Sequence, residues 1–205
     1  MKTKLYLDVD GVLLRRTGQK TSRGLTEFQI ANHATSFLRF CTDHFDCWWL
    51  TARSREGSIA EVERAFRHAV RNPAASERDR DDLKALVSGI PVAAWGETKA
   101  DAFSAGEDFY WVDDNPDEAS ISWLDQNGLS GRLVVAATDQ RFDDLVRVQG
   151  VLQETESSFK KPEFVRLSPS LTKEQMTENI IAALARSGIT VKRDIDPVTG
   201  EKIDD

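Results

Sequence analysis

Two pairs of aspartates are the residues whose types and spacing suggest chemistry. Asp8 lies near the end of the mainly apolar run 4–9, Asp10 follows that run, and Gly11 comes directly after Asp10. The run is typical of a short buried strand that ends in a sharp turn at the glycine. In a fully extended strand the two carboxylates would point to opposite faces, but the turn can bring both to the edge of the sheet.

The second pair, Asp113 and Asp114, follows another apolar run, 109–112. Because ligands bind at the carboxyl ends of parallel strands, we expect all the carboxylates to converge there. Carboxylates in such a group repel one another unless a cation lies among them, and hard oxygen ligands favour Mg²⁺. The predicted cofactor is therefore Mg²⁺, and its candidate ligands are three or four of the carboxylates of Asp8, Asp10, Asp113 and Asp114.

Three further residues suit the binding of a phosphate. Thr51 follows the predicted strand 46–50, and its hydroxyl, with the neighbouring N–H groups including that of Ala52, could bind phosphate oxygens. Lys99 precedes the segment that leads into strand 109–112, where an ammonium could neutralise a nucleophile and a phosphate. Because Lys99 lies close to Asp113 in sequence, Lys84 or an arginine could occupy this position instead.

Together, these motifs resemble the haloacid dehalogenase superfamily of phosphatases. The resemblance rests on DVDGVL, WWLTARS, GETKADAF and WVDDNPDE, in that order and each near a predicted strand end, within residues 4–137. It implies that Asp8 attacks phosphorus to form an aspartyl-phosphate, while Asp10 first protonates the leaving oxygen and then activates water. It also implies that Thr51 binds the phosphoryl oxygens and that Lys99 pairs with Asp8.

The resemblance further assigns the metal ligands. Mg²⁺ would be bound by the Asp8 carboxylate, the backbone carbonyl of Asp10 and Asp114, with Asp113 as a ligand or as a neighbour of the ligands. The expected activity is the hydrolysis of a phosphate monoester. Transfer of the phosphoryl group to an acceptor other than water would use the same residues. The alternative function is a non-catalytic binding or regulatory module that recruits a partner through its C-terminal segment.

The spacing of the predicted strands indicates the fold class. Helical segments between strands favour parallel βαβ units with right-handed crossovers. We therefore expect a doubly wound, Rossmann-like, three-layer α/β sandwich around a mainly parallel sheet of at least five strands. The predicted strands are 4–9, 46–50, 90–95, 109–112 and 133–137.

The expected helices follow from apolar spacings of three and four residues. One is predicted to begin near Glu27, with Thr26 as its N-cap and one apolar face that runs from Phe28 to Cys41. Residues 15–26 before it suit a loop or a small hairpin. The other predicted helices are 57–70 and a short one that ends near residue 86, after a surface connector over 72–82.

Residues 1–150 are predicted to form the catalytic domain and residues 151–205 a C-terminal extension. The extension contains an isolated apolar stretch, 164–167, that could form a short strand. A helix is predicted from Thr172 to Gly188, because Thr172 and Gln175 form a capping box and the glycine supplies a stop. A polar tail follows.

The expected substrate is a phosphorylated molecule at an open site. The segments between the motifs are too short for a full cap domain, so the resemblance implies a capless or minimal-cap member, similar to those that act on phosphoproteins, nucleic-acid ends or other large substrates. Basic residues near the predicted site could attract polyanions, although each could equally be a solvated loop charge, which leaves nucleic-acid binding open. These residues are Arg15, Arg16, Lys20, Arg23, Arg53 and Arg55.

Composition limits the environment of the protein. The net charge of −7 and the isoelectric point near 5.1 argue against a surface that binds nucleic acid or anionic lipid as a whole. Two cysteines and no apparent secretory leader favour a cytoplasmic protein with reduced thiols. No apolar run approaches the roughly 20 residues that cross a bilayer, so no membrane partner is expected.

Overall fold

A computed structural model describes residues 2–70, 77–104 and 106–159. The strands are β1 (Lys4–Leu7), β2 (Leu14–Lys20), β3 (Thr26–Ile30), β4 (Asp46–Trp49), β5 (Phe109–Asp113) and β6 (Leu133–Val135). The helices are α1 (Ala34–His44), α2 (Ile59–His68), α3 (Glu77–Gly89), α4 (Glu118–Gln126) and α5 (Asp144–Phe159). Short 3-10 turns cover Lys99–Ala102 and Ser130–Arg132.

A four-stranded parallel sheet in the order β4-β1-β5-β6 forms the centre of the described chain. The chain adds β4 on one side of β1 and then returns to add β5 and β6 on the other side. The order therefore reverses next to β1, and such a reversal creates a crevice at the carboxyl ends of the strands. The predicted α/β class, with a parallel Rossmann-like sheet flanked by helices, is confirmed.

The two faces of the sheet bury separate apolar clusters because side chains alternate along each strand. In β1, Leu5 and Leu7 pack into a cluster with the buried faces of α1, α2, α3 and α5. Tyr6 packs on the opposite face with Trp111 of β5 and Leu124 of α4. β1 is thus covered on both faces, which explains its almost continuous apolar sequence.

The predicted strand 90–95 makes only one isolated parallel bridge, between Trp49 and Val92. The Trp49 N–H donates to the Pro91 carbonyl at 2.8 Å, and the Ala93 N–H donates to the Trp49 carbonyl at 2.8 Å. Pro91 has no N–H that could extend this ladder. The Trp95 N–H donates instead to the Arg55 carbonyl. Within the described residues, the sheet therefore has four strands and not the five or more that we expected.

The helix predicted to begin near Glu27 is wrong at its start. Thr26–Ile30 is strand β3, which pairs antiparallel with β2 and forms a hairpin, and the helix α1 begins only at Ala34. The apolar residues Phe28 and Ile30 lie two apart, as in a strand, and Ile30 faces Leu14 across the hairpin. Residues 15–26, expected to form a loop or a small hairpin, are therefore part of a hairpin that extends from residue 14 to residue 30.

The remaining helices agree with the sequence to different degrees. α2 lies within the predicted 57–70 segment, but α3 already begins at Glu77, inside the predicted connector. α5 runs across residue 150, where the domain boundary was predicted. The predicted strand 164–167 and the helix 172–188 lie outside the described residues, and the division into domains stays a prediction.

In the described part of the chain, no helix combines the length and the apolar character needed to cross a membrane.

Phe37→Ala should destabilise the fold because Phe37 of α1 is fully buried in the cluster with Leu5 and Leu7. The expected loss in the free energy of unfolding is about 3–5 kcal/mol, measured by denaturant unfolding. Phe142→Ala is the matched control: Phe142 is 61% exposed and contacts Arg15 by a cation–π interaction, so its loss should cost less than about 1 kcal/mol. Equal losses in the two variants would contradict the described core.

Candidate active site

The parallel pairing of β1 and β5 brings the aspartates to one edge of the sheet. Leu7 pairs with Val112, so Asp8 and Asp113 emerge side by side, and the Asp8 N–H donates to the Val112 carbonyl at 2.9 Å. One carboxylate oxygen from each of Asp8, Asp113 and Asp114 lies within 4.8 Å of the others. Three of the four predicted metal ligands therefore converge through their carboxylates.

The turn after β1 depends on Gly11. This glycine has a φ of +72°, and a Cβ atom built on it would lie 1.9 Å from Oδ2 of Asp114. The Gly11 N–H donates to the Leu14 carbonyl at 2.7 Å, and the Thr138 hydroxyl donates to the Gly11 carbonyl at 2.6 Å. Only glycine lets the backbone adopt this conformation and also leave room for the carboxylate.

Lys99 is buried between two of the carboxylates. Its Nζ lies 2.7 Å from Oδ2 of Asp8 and 2.6 Å from Oδ2 of Asp113. Burial alone would lower the pKa of Lys99, but the two adjacent carboxylates outweigh this effect and raise its pKa above the usual value. The ammonium therefore stays charged beside Asp8.

A capped turn places Lys99 at this position. The Thr98 N–H donates to Oδ2 of Asp101 at 3.0 Å, and the Ala100 N–H donates to the hydroxyl of Ser120, on α4, at 3.0 Å. Lys84, the alternative considered from the sequence, instead lines a groove with side chains of α2 and α3. Among the described lysines, Lys99 is the one that contacts Asp8.

Asp113 has both oxygens engaged. Oδ2 accepts from Lys99, and Oδ1 accepts from the Asn115 N–H at 2.9 Å. Burial and the nearby charge of Asp8 raise the pKa of Asp113 to about 6, although Lys99 opposes the shift. These contacts suit a residue that fixes Lys99 and adds negative charge beside a cation. The sequence left two roles open for Asp113, a ligand or a neighbour of the ligands, and the contacts favour the second.

Asp114 is the carboxylate of this cluster that faces the hairpin. Its Oδ2 accepts from Nη1 of Arg16, on β2, at 3.3 Å, and burial raises the pKa of Asp114 while Arg16 opposes that shift. Arg16 also pairs with the carboxylate of Asp139, which accepts from the Arg16 N–H at 2.6 Å. Asp139 was not predicted from the sequence, although its position shortly after the end of β6 is a signal that could have identified it.

Asp10 does not join the carboxylate cluster of Asp8, Asp113 and Asp114. Its Oδ1 instead accepts two hydrogen bonds from Arg53, from Nε at 3.0 Å and from Nη2 at 2.6 Å. Burial raises the pKa of Asp10, and Arg53 reduces but does not cancel this effect. The Asp10 carboxylate is therefore paired with the guanidinium and is not placed to bind Mg²⁺ with the other three. The Asp10 backbone carbonyl stays a candidate ligand.

Thr51 lies at the same edge of the sheet. The Leu50 N–H donates to the Leu7 carbonyl at 2.8 Å, which keeps the chain after β4 beside the chain after β1. Thr51 is fully buried, and its hydroxyl accepts from the Arg53 N–H at 3.3 Å. Ala52 is exposed in this turn, and its N–H has no hydrogen-bond acceptor among the described residues. The turn therefore has one backbone donor at an exposed residue, Ala52, and one buried hydroxyl, that of Thr51, as candidate donors to an anion.

The donor set fits a hard divalent cation. Asp8, Asp113 and Asp114 bring three negative charges together, and Lys99 supplies one positive charge inside the same buried group. Arg16, beside Asp114, is balanced by Asp139, so two negative charges are left, which is the charge that Mg²⁺ would balance. Carboxylate oxygens are also the ligands that Mg²⁺ prefers. Asp8 and Asp114 would hold the ion, and Asp113 would add to the attraction.

Gly11→Ala should disrupt the site because the new methyl group would meet the Asp114 carboxylate at a residue with positive φ. The expected loss in the free energy of unfolding is about 2–5 kcal/mol, together with weaker Mg²⁺ binding in calorimetry. Gly18→Ala is the control, since Gly18 also has a positive φ, of +79°, but no atom lies within 4 Å of the position that its methyl group would take. It should lose only about 1–2 kcal/mol. Similar Mg²⁺ affinities in both variants would contradict the described turn.

Mg²⁺ affinity should decrease as the pH falls through about 6, the pKa of Asp113, because protons and the cation compete for the same negative charge. Well below this pKa, the affinity should fall about tenfold for each pH unit. Calorimetric titrations between about pH 5 and pH 7 measure the slope. Asp113→Asn should bind the ion more weakly and with a flatter pH profile. The same slope in the variant and the wild type would contradict this assignment.

A scan against protein-family models and searches of curated proteins and of solved structures each found no match. Membership of the haloacid dehalogenase superfamily therefore stays a prediction that depends on the sequence motifs.

Proposed function

We propose that this chain is a magnesium-dependent phosphatase of the haloacid dehalogenase type that hydrolyses a phosphate monoester. The observation that supports the proposal best is the position of Asp8. Its carboxylate follows β1, contacts buried Lys99 at 2.7 Å and shares a cation-binding cluster with Asp114. A carboxylate between two sources of positive charge can approach a phosphate dianion, which would otherwise repel it.

Lys99 and the anion-binding turn account for the binding of the phosphoryl group. The Lys99 ammonium can attract the equatorial phosphoryl oxygens while it holds Asp8 in place. The Thr51 hydroxyl and the Ala52 N–H can donate hydrogen bonds to the same oxygens from the adjacent strand end. Phosphoryl transfer needs mainly such positioning and charge neutralisation.

The bound Mg²⁺ would supply further positive charge to the phosphoryl oxygens and to the nucleophile. Asp8, Asp114 and the Asp10 carbonyl are its proposed ligands, and Asp113 supports them from its contact with Lys99. Without such an ion, the carboxylates of this cluster would repel one another.

The proposed reaction has two steps, and in both of them Asp10 transfers a proton. In the first step, an oxygen of Asp8 attacks phosphorus, the ester P–O bond breaks, and protonated Asp10 gives its proton to the leaving oxygen. In the second step, Asp10 takes a proton from water, the hydroxide attacks phosphorus, and the bond to Asp8 breaks to release inorganic phosphate. The covalent intermediate divides one difficult displacement into two easier ones.

The proposed substrate is a phosphorylated molecule, including a large one, because the segments between the motifs are too short for a full cap domain. Of the basic residues expected near the site, Arg16 and Arg53 are paired with site aspartates. Arg55 lies over the Trp95 ring, 4.5 Å from its centroid. A phosphate that entered would meet guanidinium groups at the edge of the site.

Binding to nucleic acid and a cytoplasmic location stay predictions, as does a partner recruited through the C-terminal segment.

Magnesium-dependent release of phosphate from 4-nitrophenyl phosphate tests the proposal. The wild type should turn over, and Asp8→Asn should lose at least about 10³-fold in kcat because the amide cannot act as the nucleophile. Asp43→Asn, at an exposed position of α1, is the matched control and should keep full activity. Mass spectrometry of quenched wild type should find one phosphoryl group on the peptide that contains Asp8.

Full activity in Asp8→Asn would contradict the proposed nucleophile. No magnesium-dependent turnover of any phosphate monoester by the wild type would contradict the proposed enzyme.

A further inference from the structure

The contact between Arg53 and Asp10 has a geometry that bears on proton transfer. Two N–H groups of Arg53 donate to the same oxygen, Oδ1 of Asp10, at 3.0 and 2.6 Å. The other oxygen, Oδ2, accepts no hydrogen bond from any residue within the described ranges. One oxygen of this carboxyl group is therefore held, and the other is available.

Arg53 is itself held by one neighbour from the hairpin and by one from its own turn. Its guanidinium lies over the ring of Phe28, on β3, with its carbon 5.0 Å from the ring centroid. Its backbone N–H donates to the Thr51 hydroxyl at 3.3 Å. The hairpin thus restrains the guanidinium through Phe28, the turn after β4 restrains the Arg53 backbone, and the restrained guanidinium holds Oδ1 of Asp10.

A carboxyl group that transfers a proton to a leaving oxygen needs a fixed orientation toward that oxygen. A misplacement of about 1 Å can cost about 100-fold in rate. Asp10 is only partly buried, with 26% of its side chain exposed, so packing restrains it less than full burial would. The two N–H groups of Arg53 add the restraint, because both hold Oδ1.

We infer that Arg53 is a positioning residue for the general acid Asp10, and that it determines which leaving groups the enzyme can release. This inference rests on the proposed function. During the first step, the proton on Oδ2 of Asp10 moves to the ester oxygen as the P–O bond breaks, while the Arg53 N–H groups stay on Oδ1. Arg53 neither gains nor loses a proton. Its contribution should be large for alkoxide leaving groups, which need the proton, and small for 4-nitrophenolate, which does not.

The test compares phosphoenzyme formation from 4-nitrophenyl phosphate and from an alkyl phosphate, by rapid quench, in the wild type and Arg53→Met. With the alkyl phosphate, formation should slow by about 10- to 100-fold in the variant. With 4-nitrophenyl phosphate, it should change less than about threefold. Arg53→Lys should recover part of the alkyl rate, since lysine keeps one donor and the charge but loses the paired N–H geometry.

Two further variants show whether Arg53 acts through Asp10. In an Asp10→Asn background, adding Arg53→Met should cause almost no further loss with the alkyl phosphate. Arg39→Met is the matched control, because Arg39 makes an exposed ion pair with Asp82 on the helices α1 and α3, and it should behave like the wild type.

Equal losses with both substrates, or a full additional loss in the Asp10→Asn background, would overturn the role of Arg53 while the phosphatase assignment stands. A wild type that forms no phosphoenzyme from either substrate would overturn both.

Discussion

The buried contact of Lys99 with Asp8 and Asp113 is the interaction on which the rest of the site depends. The three side chains lie at the ends of β1 and β5 and at the start of the turn before β5, so their charges join segments that are far apart in sequence. Loss of the ammonium would leave two carboxylates buried without a cation, and breaking a buried ion pair typically costs about 3–5 kcal/mol. The same contact leaves an excess of negative charge that favours a divalent ion. Stability and the proposed chemistry therefore share one electrostatic requirement.

Most of the central fold could be predicted because apolar alternation and strand-end turns are local signals. β1, β4 and β5 were predicted within one or two residues of their observed positions. The errors occurred where local patterns were ambiguous. Phe28 fits the three- and four-residue spacing of α1 and also the two-residue spacing of β3, and only pairing with β2 decides between them. The stretch 90–95 has the composition of a strand, but Pro91 limits its pairing with β4 to one bridge.

The candidate site, like the fold, could be predicted only in part. Residue types and strand ends were sufficient to bring Asp8, Asp113, Asp114 and Lys99 together, because the carboxyl ends of parallel strands meet at one edge. Sequence could not show that the Asp10 carboxylate pairs with Arg53. Nor could it show that Arg16 joins Asp114 to Asp139, since both contacts depend on how the hairpin and the loops fold over this edge. Side-chain pairing between loops follows from tertiary structure, which periodicity does not encode.

The most direct test of the proposed site is a crystal structure of the wild type with Mn²⁺ in place of Mg²⁺ and with orthovanadate as a mimic of the transferred phosphoryl group. We expect an anomalous metal peak between the carboxylates of Asp8 and Asp114, with vanadium beside the Asp8 oxygen and near Lys99. A folded protein that binds the metal elsewhere, or that places vanadate away from Asp8, would contradict the proposed site.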